Sequence, residues 1–197
     1  MHSPRHVRSF AELSDEEVAA VAEAWQARRE AAHHEGFDYV HALINEGAAA
    51  GSSLPHSHSQ LVWLHERPPE VARETGNAAA LLGELVVAER GAMRAVVHRA
   101  GRLPYETLIG GEPFELPAAL LLLREVVGRL RALEGPLPWN AWLHTTHPGE
   151  GHIELVPRLS VLAGIELGAG IYVNTVAPED APAALNGHAQ VSDTTVS

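Results

Sequence analysis

One order of elements occurs twice along this chain, and nothing else in the sequence constrains the fold as much. Ser14, with Glu17 three residues on, opens a predicted helix that runs to about residue 33, with Val18, Val21, Ala22 and Trp25 as its buried stripe. A strand over residues 37–44, a loop, and a second strand over residues 56–64 follow. The same succession returns as a helix over 117–133 and strands over 140–144 and 152–156. The two centres, His56-x-His58-x-Gln60 and His152-x-Glu154-x-Val156, lie 96 residues apart. This predicts a duplicated α+β unit. The copies are chemically unequal: Glu154 stands in the second where His58 stands in the first.

The other segments complete the expectation. Residues 68–90 read as mostly helical, 94–98 and 106–109 as short strands, 170–175 as a strand and 179–185 as a short helix. The expected division is a first half over residues 1–90, a second over 91–185 and a flexible tail over 186–197. At 197 residues the chain suits one domain, or two small halves packed together.

A formal net charge of -11 argues against a nucleic-acid-binding face, which needs clustered Lys and Arg, but allows one nucleotide in a pocket. With no cysteine the chain builds neither a disulfide nor a thiolate metal site. The longest apolar run, 116–123, is too short for a membrane span and contains Pro117. A cytoplasmic protein is the default expectation.

The stretch NEGAAAGSSLPHSHSQ, residues 45–60, carries the chemistry. In an extended strand, alternation puts His56, His58 and Gln60 on one face and Ser57 and Ser59 on the other. Polar groups aligned behind a Gly- and Ser-rich loop read as a site. From the residues alone, surface or core histidines and an adventitious metal site stand as alternatives.

This stretch, together with GHIELVPRLSVLAGIELGAGIYVNTVAPE, PRHVRSFAELSDEEVAAVAEAWQARRE and PWNAWLHT, resembles galactose-1-phosphate uridylyltransferase, a branch of the histidine-triad superfamily. The blocks occur in the family's order over residues 3–185. The resemblance implies an α+β fold of duplicated histidine-triad-like units, with an antiparallel sheet and flanking helices. The first unit is expected to be incomplete, because the family's upstream portion supplies further strands, nucleotide-holding arginines and commonly a cysteine pair. Ser57 stands where the family most often has proline, which restores a backbone N–H.

The implied roles follow residue by residue. His58 is the nucleophile that attacks the α-phosphorus of UDP-glucose, and Gln60 donates to the phosphate oxygens. Asn45, Gly51, Ser52 and Ser53 lie against nucleotide or phosphate, and Glu166 contacts the sugar, often from the partner subunit. Ile165 replaces the relatives' aromatic residue beside it. A first zinc site would use His6 and His56 with two ligands from the absent segment, leaving half a tetrahedral shell. A second site, for zinc or iron, would use Glu74, His144, His152 and Glu154, against the alternative of a hydrogen-bonded cluster without metal. Pro104-Tyr105-Glu106 is read as architectural. His2, His41 and the four tryptophans are assigned no site role.

The expected function is transfer of UMP from UDP-glucose to a hexose 1-phosphate through a uridylyl-histidine. Two alternatives stand beside it: nucleotide hydrolysis or phosphorolysis by the same histidine, and a non-catalytic or split-subunit nucleotide-binding fragment. The implied assembly is a homodimer, or a complex with a separately encoded N-terminal half.

Overall fold

The computed structural model describes residues 1–74, 83–145 and 149–187. Within them, β1 (Tyr39–Glu46) and β2 (Ser59–Leu64) form one edge of a sheet. The other edge is built by β3 (Val86–Arg90), β4 (Met93–Val97) and β5 (Thr107–Gly111), with β6 (Trp139–Thr145) and β7 (Gly151–Pro157) between. The order across is β2-β1-β6-β7-β5-β4-β3, and every neighbour is antiparallel. Along β1, Val40, Ala42, Ile44 and Glu46 are buried while His41, Leu43 and Asn45 are only half-buried, the period-two signature of a sheet covered on one face.

The two long helices supply that cover. α1 (Asp15–His34) starts at a capping box: Ser14 Oγ accepts from Glu17 N at 3.2 Å, and Glu17 Oε2 accepts from Ser14 N at 2.8 Å. Its Val18, Val21, Ala22 and Trp25 are buried as expected. α3 (Leu116–Glu134) has Pro117 in its first turn, where no helical N–H is lost, and buries Leu120, Leu123, Val127 and Leu130. Sheet and helices share one apolar cluster, in which Ile44 of β1 joins Trp139 and Ala141 of β6 and Ile153 and Leu155 of β7. No described helix is long and apolar enough to cross a membrane.

Several expectations are corrected. In the segment read as helical, α2 covers only Pro69–Arg73, and Val86–Arg90 is a strand because it finds β4 as a hairpin partner; residues 75–82 lie outside the described residues. Residues 170–175 form no strand. They leave a short helix, α4 (Gly164–Ala169), and meet no sheet edge. β2 starts at Ser59, so His56 and His58 lie on the approach to the strand. The final short helix, α5, spans Ala181–Leu185. Of the tail, only Asn186 and Gly187 are described.

Candidate functional site

The face of the sheet turned away from the long helices gathers the motif residues. Trp25 Nε1 in α1 donates to Ser59 Oγ at 2.9 Å, so Ser59 points toward the helices and its strand neighbour Gln60 points away. Register then places Gln60 beside Leu43, Trp142 and Glu154 in one row. The next row holds Val62 and His41, followed by His144, His152 and Gly110. The pairing ends at Ile44–Ser59, next in the chain to Asn45 on β1 and to His58 on the approach to β2.

His58 Nδ1 donates to the carbonyl of His56 at 2.9 Å. That hydrogen bond puts the ring proton on Nδ1 and leaves the Nε2 lone pair for an electrophile. The segment is pinned from behind through Ser57. Its N–H donates to Val7 O at 2.8 Å, which is the use found for the N–H a proline would lack. His2 N donates to Ser57 O at 3.1 Å, and His2 Nδ1 lies 2.9 Å from Ser57 Oγ. His2 is therefore part of the site's support, a role its isolation in the sequence hid. Burial, aided by the N-terminal ammonium, His58 and His56, pushes its imidazole down to about 3, so it adds no charge beside His58 at neutral pH.

The loop after β1 is shaped by glycine. Gly47 turns the chain at a φ of 85°, a short 3-10 turn follows over Ala48–Ala50, and Gly51 closes it in the left-handed region. A Cβ at Gly51 would meet nothing within 4 Å, so ligand atoms can approach the backbone there. Asn140 Nδ2 donates to Asn45 Oδ1 at 2.7 Å and to Ala50 O at 2.8 Å, tying the loop to β6. With its oxygen so engaged, the Asn45 amide keeps its NH2 as a donor. Arg158 Nη1 reaches Asn140 Oδ1 at 3.5 Å, and its buried Nε has no partner among the described residues. Ser52 directs its hydroxyl proton to Leu54 O at 2.8 Å, leaving Ser53 the freer hydroxyl. Asn140 and Arg158 escaped the sequence reading because only strand pairing brings them to this loop.

Glu74, His144, His152 and Glu154 converge as expected, each offering one ligand atom with all such atoms within 4.8 Å of one another. His144 Nδ1 lies 2.5 Å from Glu74 Oε1 and 3.6 Å from Glu154 Oε1. His152 Nε2 lies 3.8 Å from Glu74 Oε1 and 3.7 Å from Glu154 Oε1. Burial alone would raise the Glu154 carboxyl, but the neighbouring His152, His144 and Arg102 outweigh it and hold it below the usual range. Two imidazoles and two carboxylates with near-zero exposure of the histidines fit a borderline divalent ion such as zinc or ferrous iron. The other implied site fits less well. The His6 and His56 rings sit edge-to-face with centroids 5.2 Å apart, His56 Nε2 lies 3.1 Å from Ser3 O, and no third ligand joins them among the described residues. Glu166 stands apart from both clusters, accepting from Ala163 N at 2.8 Å at the start of α4.

A histidine presented with a free Nε2 on an antiparallel sheet resembles the arrangement of the histidine-triad class. Residues 1–68 match the family described as galactose-1-phosphate uridyl transferase, N-terminal domain, and the chain is similar to that family. A relative from Arabidopsis thaliana described as ADP-glucose phosphorylase is 25% identical over 91% of this chain. The chain spans 61% of that relative's length. Among solved structures, a galt-like protein from Arabidopsis thaliana is 25% identical at a TM-score of 0.80, covering 93% of this chain and 72% of that one. An Arabidopsis thaliana ADP-glucose phosphorylase with bound ADP-glucose gives 24% and 0.81 over 96% of this chain and 71% of that one. A uridylyltransferase shares the fold at 22% and 0.83 over 95% of this chain and 72% of that one.

Proposed function

We propose that this chain transfers a nucleotidyl group from a nucleotide sugar through His58. The observation that carries the reading is the His58 Nδ1 to His56 O hydrogen bond, which fixes the nucleophilic tautomer. In the first half-reaction Nε2 forms a bond to the α-phosphorus while the bond from that phosphorus to the bridging oxygen breaks. The electron pair leaves on the hexose 1-phosphate, and the Nδ1 proton stays on the ring against the His56 carbonyl. Asn45 and Gln60 donate to the phosphorus-bound oxygens as charge shifts onto them.

UDP-glucose with a hexose 1-phosphate acceptor is the reading the motif resemblance supports. The likeness to ADP-glucose phosphorylase supports a second, in which inorganic phosphate takes the nucleotidyl group from the same histidine. Both are separated by intact-protein mass spectrometry after mixing with UDP-glucose or ADP-glucose. A uridylyl- or adenylyl-sized increase, acid-labile and absent from His58→Ala, is expected, and chasing the adduct with galactose 1-phosphate, phosphate or water identifies the acceptor. An unmodified wild-type protein with both sugars would sink the covalent reading and favour a nucleotide-binding chain that needs a partner.

The reading extends to two features. The Glu74, His144, His152 and Glu154 cluster holds a divalent ion that braces β6 and β7 beside the site, the ion's role being structural. The chain pairs with a second copy, which receives the segment carrying Glu166.

A further inference from the structure

We propose that Arg102 sets the ion preference of the Glu74, His144, His152 and Glu154 cluster by limiting Glu154 to one oxygen. The inference rests on the reading of this cluster as a metal site and is independent of the chemistry at His58.

Arg102 lies in the loop between β4 and β5, and that loop is folded around the buried carboxylate of Glu106. Glu106 Oε2 accepts from Arg102 N at 2.7 Å and from Leu103 N at 3.2 Å, while Tyr105 takes a φ of 61° to complete the turn. The same carboxylate orients the guanidinium: Glu106 Oε1 accepts from Arg102 Nε at 3.1 Å and from Nη2 at 2.9 Å. The guanidinium carbon stands 5.8 Å from the centre of the Trp142 ring, which limits it on a second side. Held this way, Nη2 donates to Glu154 Oε2 at 3.1 Å.

The consequence falls on the metal side of Glu154. With Oε2 engaged by Arg102, only Oε1 faces the imidazoles, at 3.6 Å from His144 Nδ1 and 3.7 Å from His152 Nε2. A carboxylate so restrained binds through one oxygen. The hard ions calcium and manganese favour more oxygens and accept carboxylates through both, whereas zinc and cobalt are satisfied by four nitrogen and oxygen donors. Charge points the same way. Glu74, Glu106 and Glu154 counted formally against Arg102 leave two negative charges, matched by one divalent ion. Without Arg102 the pocket would carry three and would favour hard cations indiscriminately.

Chelator-stripped full-length protein titrated with Co²⁺, followed in the visible, reads the geometry directly. Wild type should take up one equivalent with the intense band of four-coordinate cobalt, lost in His152→Ala, and should prefer Zn²⁺ to Mn²⁺ in competition. In Arg102→Met the band should weaken as Glu154 turns both oxygens inward. The Zn²⁺ to Mn²⁺ preference should fall by about tenfold or more, the usual scale for groups that orient a ligand. Arg102→Lys, which keeps the charge but not the fork, should show the weakened band and is the variant read if Arg102→Met does not fold. An unchanged band and preference in the folded variants would reduce Arg102 to a loop support. Failure of wild type to bind Co²⁺ or Zn²⁺ at this cluster would overturn the inference at its root, whatever His58 does.

Discussion

At the scale of single residues, the loop behind His58 depends on an atom that is absent. Gly47 has a φ of 85°, and a Cβ there would stand 2.9 Å from Pro138 Cβ and 3.1 Å from Pro138 Cα. Both the torsion and the contact oppose any side chain, because Pro138 belongs to the backbone leading into β6 and cannot swing aside. Gly47→Ala should cost about 1–3 kcal/mol in denaturant unfolding and should weaken nucleotide-sugar binding more than that loss alone explains. Wild-type binding in the variant would show that the loop does not shape the site. The alternation of His58 and Gln60 could be read in the sequence because it is a local property, whereas Asn45 entered through the motif resemblance. Asn140 sits 95 positions from its partner Asn45, and Arg102 sits 52 from Glu154. Such pairs are created by strand register and by the folding of the loop that carries Arg102, which no stretch of sequence displays, and so these residues surfaced only in the fold.

Elements show the same division between local and distant causes. The start of α1 was readable because its capping box is written in four consecutive residues, and the structure adds two partners to it. Arg5 Nη2 lies 2.6 Å from Glu17 Oε2, and Ser3 Oγ donates to Glu17 Oε1 at 2.5 Å. The hydrogen bonds from Arg5, then Ser3 and Ser14, hold the Glu17 carboxyl down at about 2, against roughly 4.3 for an unperturbed glutamate. Between those values the unfolded chain takes up a proton that the folded chain refuses. Stability from this group is therefore whole above the window and is lost as pH falls through it. Glu17→Gln should be less stable than wild type at neutral pH, and the gap should close as the pH approaches 2; a gap that stays constant with pH would mean the carboxylate charge is not what stabilises the helix start. Ser14→Ala, by removing the cap acceptor, should cost about 1 kcal/mol. The missed elements had no such local signal. Val86–Arg90 becomes a strand through β4, and the β-prone run Ile171, Tyr172 and Val173 stays irregular because no neighbouring strand offers it an edge.

For the whole molecule, the distribution of exposed apolar side chains decides what the chain does in company. Most of the large exposed ones fall between Arg158, where β7 has ended, and Val176, which packs back on the core. Val161 is 88% exposed and Leu167 75%, with Ile165, Ile171, Tyr172 and Val173 near half. α4 lies in this segment and has no buried residue, so its apolar side chains are left uncovered by the described residues. α5 then returns to the core through Ala181 and Leu185, anchoring the segment at its far end. Exposed apolar side chains grouped in one segment, on a chain whose net charge of -11 otherwise favours solubility, are the kind of surface the proposed pairing with a second copy would cover. Under that proposal Glu166 is carried on the segment toward the partner's site. Light scattering at micromolar concentration should therefore give twice the chain mass for wild type and the single mass for the Val161→Asp, Leu167→Asp double variant. Because both substituted residues are exposed and far from the core cluster, the variant should keep its unfolding midpoint. If the second copy supplies Glu166, the double variant should still form the His58 adduct more readily than it completes turnover, since sugar placement and not the nucleophile has been lost. A monodisperse wild-type monomer would instead assign the patch to a different partner chain, and mixing experiments would then take the place of the dimer assay.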